Sequence, residues 1–77
     1  MDYDGLEVAA LSDREWRVSD PQVTERDARR VLAYVEDLGD YVMVMWLSPG
    51  GGWAAFASKK DAFEALRRTT LMRGVAA

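Results

Sequence analysis

Residues 23–39 read VTERDARRVLAYVEDLG, and the fold of the chain rests on how they are read. Apolar residues recur at Ala28, Val31, Leu32, Val35 and Leu38, the spacing of one stripe along a helix. Arg26, Arg29, Arg30, Glu36 and Asp37 fall mostly elsewhere. Thr24 followed by Asp27 has the spacing of a capping box, with Asp in place of the usual Glu, and Val23 and Ala28 stand where a hydrophobic staple closes over the first turn. Gly39 supplies a left-handed stop, and Pro21 lies upstream, where it interrupts nothing. The spacing predicts an amphipathic helix over residues 25–38, lying on something apolar.

The next stretch, residues 41–53, reads YVMVMWLSPGGGW. A strand on the surface of a small sheet alternates apolar and polar residues, yet every position from 41 to 47 is apolar, so both faces call for cover. Two strands over 41–47 and 53–57, joined by SPGGG, form a hairpin. With Leu47 opposite Trp53, one face carries Tyr41, Met43, Met45, Leu47, Trp53, Ala55 and Ala57. The other carries Val42, Val44, Trp46, Ala54 and Phe56. Downstream, Ser58 and Asp61 repeat the cap pattern, and a second helix turns Ala62, Phe63 and Leu66 inward, with Thr70 one turn on, before ending between Arg68 and Arg73. Upstream, REWRVS reads as a strand with Trp16 and Val18 on one side and Glu15, Arg17 and Ser19 on the other. GLEVAAL is its partner strand, with Ser12-Asp13-Arg14 as the turn, although Leu6, Ala9 and Ala10 also fit a short helix.

The order is β-β-α-β-β-α, or β-α-β-β-α if the front is irregular. The expected class is α+β: a two-layer domain with a mostly antiparallel sheet of three to four strands and two helices on one face. Seventy-seven residues make one domain, residues 1–77, with residues 1–5 and 74–77 frayed. A chain this short buries only about 60% of the surface its unfolded form exposes, so its core is small.

Composition narrows the chemistry. Cysteine and histidine are both absent. That removes disulfides, thiolate metal sites, cysteine nucleophiles, the commonest general base and every nucleophile paired with histidine. Carboxylates remain, but Glu36, Asp37 and Asp40 in EDLGD lack the spacing of a calcium loop and read as solvated, as do Asp2 and Asp4. PGGGW lacks the lysine and hydroxyl residue of a phosphate loop and leads into a strand; it reads as a hairpin tip flanked by Trp46 and Trp53. No enzyme activity, cofactor or metal is expected. The start, MDYDGLEVAALSDREW, has neither the basic nor the apolar region of a signal peptide, and no apolar run reaches the ~18–20 residues that span a bilayer. A cytoplasmic protein without a membrane partner is expected.

The net charge of −3 is unevenly spread. Residues 1–22 hold six acids and two arginines (−4), and residues 23–40 hold five acids and three arginines (−2). Residues 41–58 carry no charge, and residues 59–77 hold five basic residues against two acids (+3). Two helices on one face leave the other face of the hairpin without cover. Tyr41, Met43, Met45, Leu47 and Trp53 are therefore the expected protein-interaction residues, methionine being adaptable at binding surfaces, and the expected partner is a second copy or another protein. The function expected is that of a small accessory, regulatory or inhibitory protein. Nucleic-acid contact through Lys59, Lys60, Arg67, Arg68 and Arg73 is the alternative, although an acidic chain is a poor default binder of phosphates. An inhibitor of phage or defence type is also compatible with a small acidic chain.

WRVSDP (residues 16–21), YVEDLGD (residues 34–40) and FASKKDAFEAL (residues 56–66) together resemble a group of short actinobacterial proteins sharing a W-R-V-S-D-P start and an F-x-(S/T)-x-x-x-A strand-to-helix junction. The resemblance covers roughly residues 15–68, and the group has no known activity to lend. The junction alone is similar to the strand-to-helix step of small AP2-like integrase arm-binding domains, which implies DNA contact. The chain departs from that pattern in its acidic charge and its added helix.

Overall fold

In the computed structural model, which describes residues 2–3, 5–47 and 51–76, the helix expected over residues 25–38 does not form. Ala28–Arg30 make a single 3-10 turn, and Val31–Asp37 make a strand. That strand is β4 of an antiparallel meander: β1 (Asp2–Tyr3), β2 (Leu6–Ala10), β3 (Glu15–Ser19), β4, β5 (Val42–Trp46) and β6 (Trp53–Phe56), each paired with the next. One helix follows, α1 (Lys59–Ala76). The expected β-β-α-β-β-α order with two helices is thus corrected: the described residues form six strands, the first of two residues only, and a single α-helix. The α+β layering, one sheet against helix, stands.

Each local signal for the lost helix has a strand meaning. Asp27 does cap a turn: its carboxylate accepts from the Arg29 N–H (2.9 Å), but the turn stops after Arg30. The same carboxylate, by hydrogen bond first and by charge second, raises the Arg29 guanidinium above its ordinary value. Val31, Tyr34 and Val35 are strand formers. Gly39 (φ +93°) serves the β4–β5 hairpin rather than a helix end, next to the Leu38 N–H donating to the Tyr41 carbonyl (2.9 Å). What decides is pairing. Ala33 lies between Val18 of β3 and Trp46 of β5, so β4 joins two strands that would otherwise both be edges.

A bulge explains why the pattern looked helical. Val18 pairs with Ala33, but Ser19 pairs with Val31, so Leu32 is an extra residue on β4. Leu32 and Ala33 are consecutive and both buried, as happens where a bulge breaks the alternation of a strand. The bulge thus sets Leu32 and Val35, three residues apart, on one side as a helix would, whereas Val31 lies on the other side near Glu7 and Arg17.

The other elements lie close to expectation. The β2–β3 turn is held by the Ser12 hydroxyl, which accepts from the Arg14 N–H (3.2 Å) and donates to Glu15 Oε1 (3.0 Å). Ser58 caps α1, its Oγ accepting from the Asp61 N–H (3.2 Å); the helix runs on to Ala76, past the expected end. In the β5–β6 hairpin Trp53 faces Met45, not Leu47. The shift is two residues, so no side chain changes face. Of the SPGGG loop, residues 48–50 lie outside the described residues, as do residues 1, 4 and 77 of the termini.

The core lies between α1 and one face of the sheet. Leu6, Val8, Val18, Leu32, Ala33, Val35, Val42 and Val44 meet Ala62, Phe63 and Leu66 there, with Trp16, Trp46 and Phe56 packed at its margin. Trp46 and Phe56 meet edge to face, centroids 6.2 Å apart, the small Ala54 between their positions leaving room. The helix packs on β4, β5 and β6.

Candidate interaction surface

Alternation along β5 and β6 fixes what the far side of the sheet presents. Val42 and Val44 point into the core, so Met43 and Met45 point away from α1, and Trp53 and Ala55 share that outward side by register. Across the sheet, one line of neighbours runs Ala9, Arg17, Tyr34, Met45, Trp53. The next runs Glu15, Glu36, Met43, Ala55. Leu47 and Tyr41 extend β5 at either end of this face.

No described segment covers it. Trp53 is 67% exposed, Met45 and Leu47 45% each, Tyr41 42% and Tyr34 41%, while Met43 is half-buried. Together these offer roughly 500 Å² of aromatic and aliphatic side chain. Apolar patches of about 300–600 Å² are the largest a monomer ordinarily shows and are often functional. A shallow groove of about 250 Å³ opens on this face, lined by Leu11, Glu15, Tyr34, Glu36, Met43 and Met45 among others.

The patch has a polar border on the β2–β3 side. Glu15 and Glu36 stand directly opposite each other on β3 and β4, a like-charge arrangement that destabilises a strand pair. Arg17 is exposed one step away on β3 and forms no ion pair among the described residues. Arg30 is spoken for. Its guanidinium donates to the Val23 carbonyl and pairs with Glu7 Oε2 at 3.1 Å, tying the β3–β4 connection to β2.

All five expected interaction residues thus lie on one face of one hairpin. Tyr34 was missed with them, because its strand was read as a helix; a period-two reading of residues 31–37 places it outward. Trp46, paired with Trp53 in the sequence reading of the loop, points to the opposite side, into the core margin. The basic residues sit on the helix side. The Lys59 ammonium lies 4.9 Å from the Trp16 ring centroid, a cation–π contact. Lys60 and Arg68 are exposed, Arg67 pairs with Glu64 at 3.2 Å, and the side chain of Arg73 lies outside those described. Among the described residues no three acidic groups gather into a metal site, and no helix is long and apolar enough to cross a membrane.

Compared with known proteins, the chain matches no family model, no curated protein and no solved structure.

Proposed function

We propose that this protein acts by contact rather than by catalysis, as a small cytoplasmic accessory, regulatory or inhibitory protein that forms a homodimer through the outer face of its sheet. One observation carries the reading: Tyr34, Met45, Leu47 and Trp53 share a face that the single helix does not reach, and each is exposed by two-fifths or more. A second copy is the occupant that the area supports. Two such patches meeting remove roughly 1,000 Å² of apolar surface, and with their polar borders approach the ~1,600 Å² of a standard interface. The face also holds both acidic and basic groups, so it supplies its own complement.

The nucleic-acid alternative draws less support. The cation nearest the junction, Lys59, is engaged with Trp16 and Arg67 with Glu64, while the open face carries Glu7, Glu15 and Glu36 against one exposed arginine, Arg17. The added helix that set the chain apart from arm-binding domains is absent, but the acidic charge remains.

The test is Met45→Glu, read by sedimentation over a concentration series. Met45 is nearly half exposed in the single chain, so the variant is expected to keep its circular dichroism. In the dimer each new carboxylate is buried without a partner, at several kcal/mol, weakening association at least ~100-fold. A wild-type protein that stays at monomer mass throughout, or a variant that dimerises equally well, removes the reading.

A further inference from the structure

The outer face has a diagonal about which it is its own complement. Neighbouring strands stand about 4.8 Å apart and same-face residues along a strand about 6.8 Å apart, so the register places each outward residue on a lattice. Two copies packed face to face under two-fold symmetry share an axis lying in the interface, and that axis sets every position against its mirror position. An axis running diagonally across the strands, close to Tyr34 and Met45, exchanges Arg17 with Glu36. The same axis exchanges Trp53 with Leu47, because Arg17 to Glu36 and Trp53 to Leu47 are both one strand and one step apart, and the spacing ratio sets both displacements square to one line.

We propose that the second copy docks in this orientation, so that Arg17 of each copy pairs with Glu36 of the other while Trp53 of each covers Leu47 of the other. The inference rests on the homodimer reading and adds its register. Charge selects this axis over the simpler ones. An axis along the Arg17–Tyr34–Met45 line sets Arg17 against its own copy, and an axis along β5 sets Glu36 over Ala55. Within one chain Glu36 faces the like charge of Glu15, with no cation paired to it among the described residues. Arg17 of the second copy relieves that repulsion. The strands of the two copies then cross at about 70°, nearer the orthogonal class of sheet packing than the aligned one. Glu15, held toward the β2–β3 turn by Ser12 (3.0 Å), falls close to the axis and meets its own copy at the border of the contact.

Three samples test this: Arg17→Glu, Glu36→Arg, and a 1:1 mixture of the two, measured beside the wild type by sedimentation and native mass spectrometry. Each variant alone sets like charges together twice and is expected to dimerise at least ~100-fold more weakly than wild type. In the mixed dimer both cross-pairs are again opposite in sign, so the heterodimer is expected within about tenfold of wild type. An ion pair confined to one chain gains nothing from mixing. Single variants that dimerise like wild type, or a mixture no tighter than its components, overturn the proposed orientation while leaving a dimeric wild type to stand. A wild type that is monomeric throughout removes the homodimer itself. Should Arg17→Glu fail to fold, the chain's lack of cysteine permits a second measurement. Glu15→Cys, close to the diagonal axis and to neither of the simpler ones, is expected to be linked by a bismaleimide spanning the ~10 Å between packed sheets, and Ala9→Cys, which lies on the Arg17–Tyr34–Met45 line, is not. The reverse result overturns the orientation.

Discussion

Leu32 and Leu38 are six residues apart in one stretch, and a helical stripe assigns both to the core. The strand assigns them to different environments. Leu32, turned inward by the bulge, is 3% exposed, whereas Leu38, at the hairpin end, is 39% exposed. Truncating Leu32 to alanine removes buried carbon worth about 0.8 kcal/mol per methylene, and the cavity left in a closed core raises the loss to about 3 kcal/mol. Leu38→Ala removes carbon already in part wetted and leaves no closed cavity, a loss of about 1 kcal/mol or less. A 77-residue domain holds roughly 4–12 kcal/mol in all. At about 4–8 °C per kcal/mol, Leu32→Ala lowers the midpoint by roughly 12–24 °C and Leu38→Ala by no more than about 8 °C. Both variants are followed by circular dichroism in heat and urea at one protein concentration, because the proposed self-association would make the midpoint depend on concentration. Equal losses at the two positions, or a larger loss at Leu38, refute the strand and with it the whole sheet order.

Two further substitutions test the same region. Asp27→Ala is expected to lose about 1 kcal/mol and Thr24→Ala less than about 0.5 kcal/mol in urea unfolding, because Asp27 rather than Thr24 holds the cap; the opposite ranking speaks for the capping box of a long helix. Gly39→Ala is expected to lose about 1–2 kcal/mol, all of it conformational, since a methyl there meets nothing within 4 Å. Gly39→Asn recovers part of that loss if backbone shape is the cause.

Much of the molecule is legible in local pattern. β2, β3, β5, β6 and the start of α1 each announce themselves by alternation, a turn or a cap, and the outward side of β5 follows from parity alone. β4 does not announce itself. Its bulge adds one residue to the inward series, which turns a period of two into something close to 3.6. Its neighbours reinforce the error, for an aspartate that caps one turn looks like one that caps four, and a glycine with positive φ ends a helix or opens a hairpin equally well. What separates the readings is long-range: β3 and β5 each need a partner on the side that β4 fills. The site inherits the same division. The hairpin's apolar face is read from seven successive residues, but Tyr34, Arg17 and Glu36 become its neighbours only once β4 is in place.

The sheet itself supplies the control for what its outer face is for. A helix is about 10 Å across and covers two or three strands spaced 4.8 Å apart; α1 spends that cover on the inner side of β4, β5 and β6. Among the described residues only short turns and the connection between β3 and β4 are left over, and none lies across the outer side of β5 and β6. On β3, same sheet and same face, the open outward positions are Glu15 and Arg17, the polar choice that water favours, while Ser19 is buried beside Glu25 and Arg30 of the β3–β4 connection. On β5 they are Met43 and Met45, with Leu47 just beyond, and on β6 Trp53. Water acts alike on the open positions of both strands, so solvation does not account for the difference, and neither does the fold, which leaves Glu15 and Arg17 exposed as it leaves Met45 and Trp53. The contact proposed above supplies a difference, since it covers β5 and β6 more than β3. A contact centred on β5 that fades toward β3 yields apolar residues at its middle and charged ones at its border, which is the order found across this face.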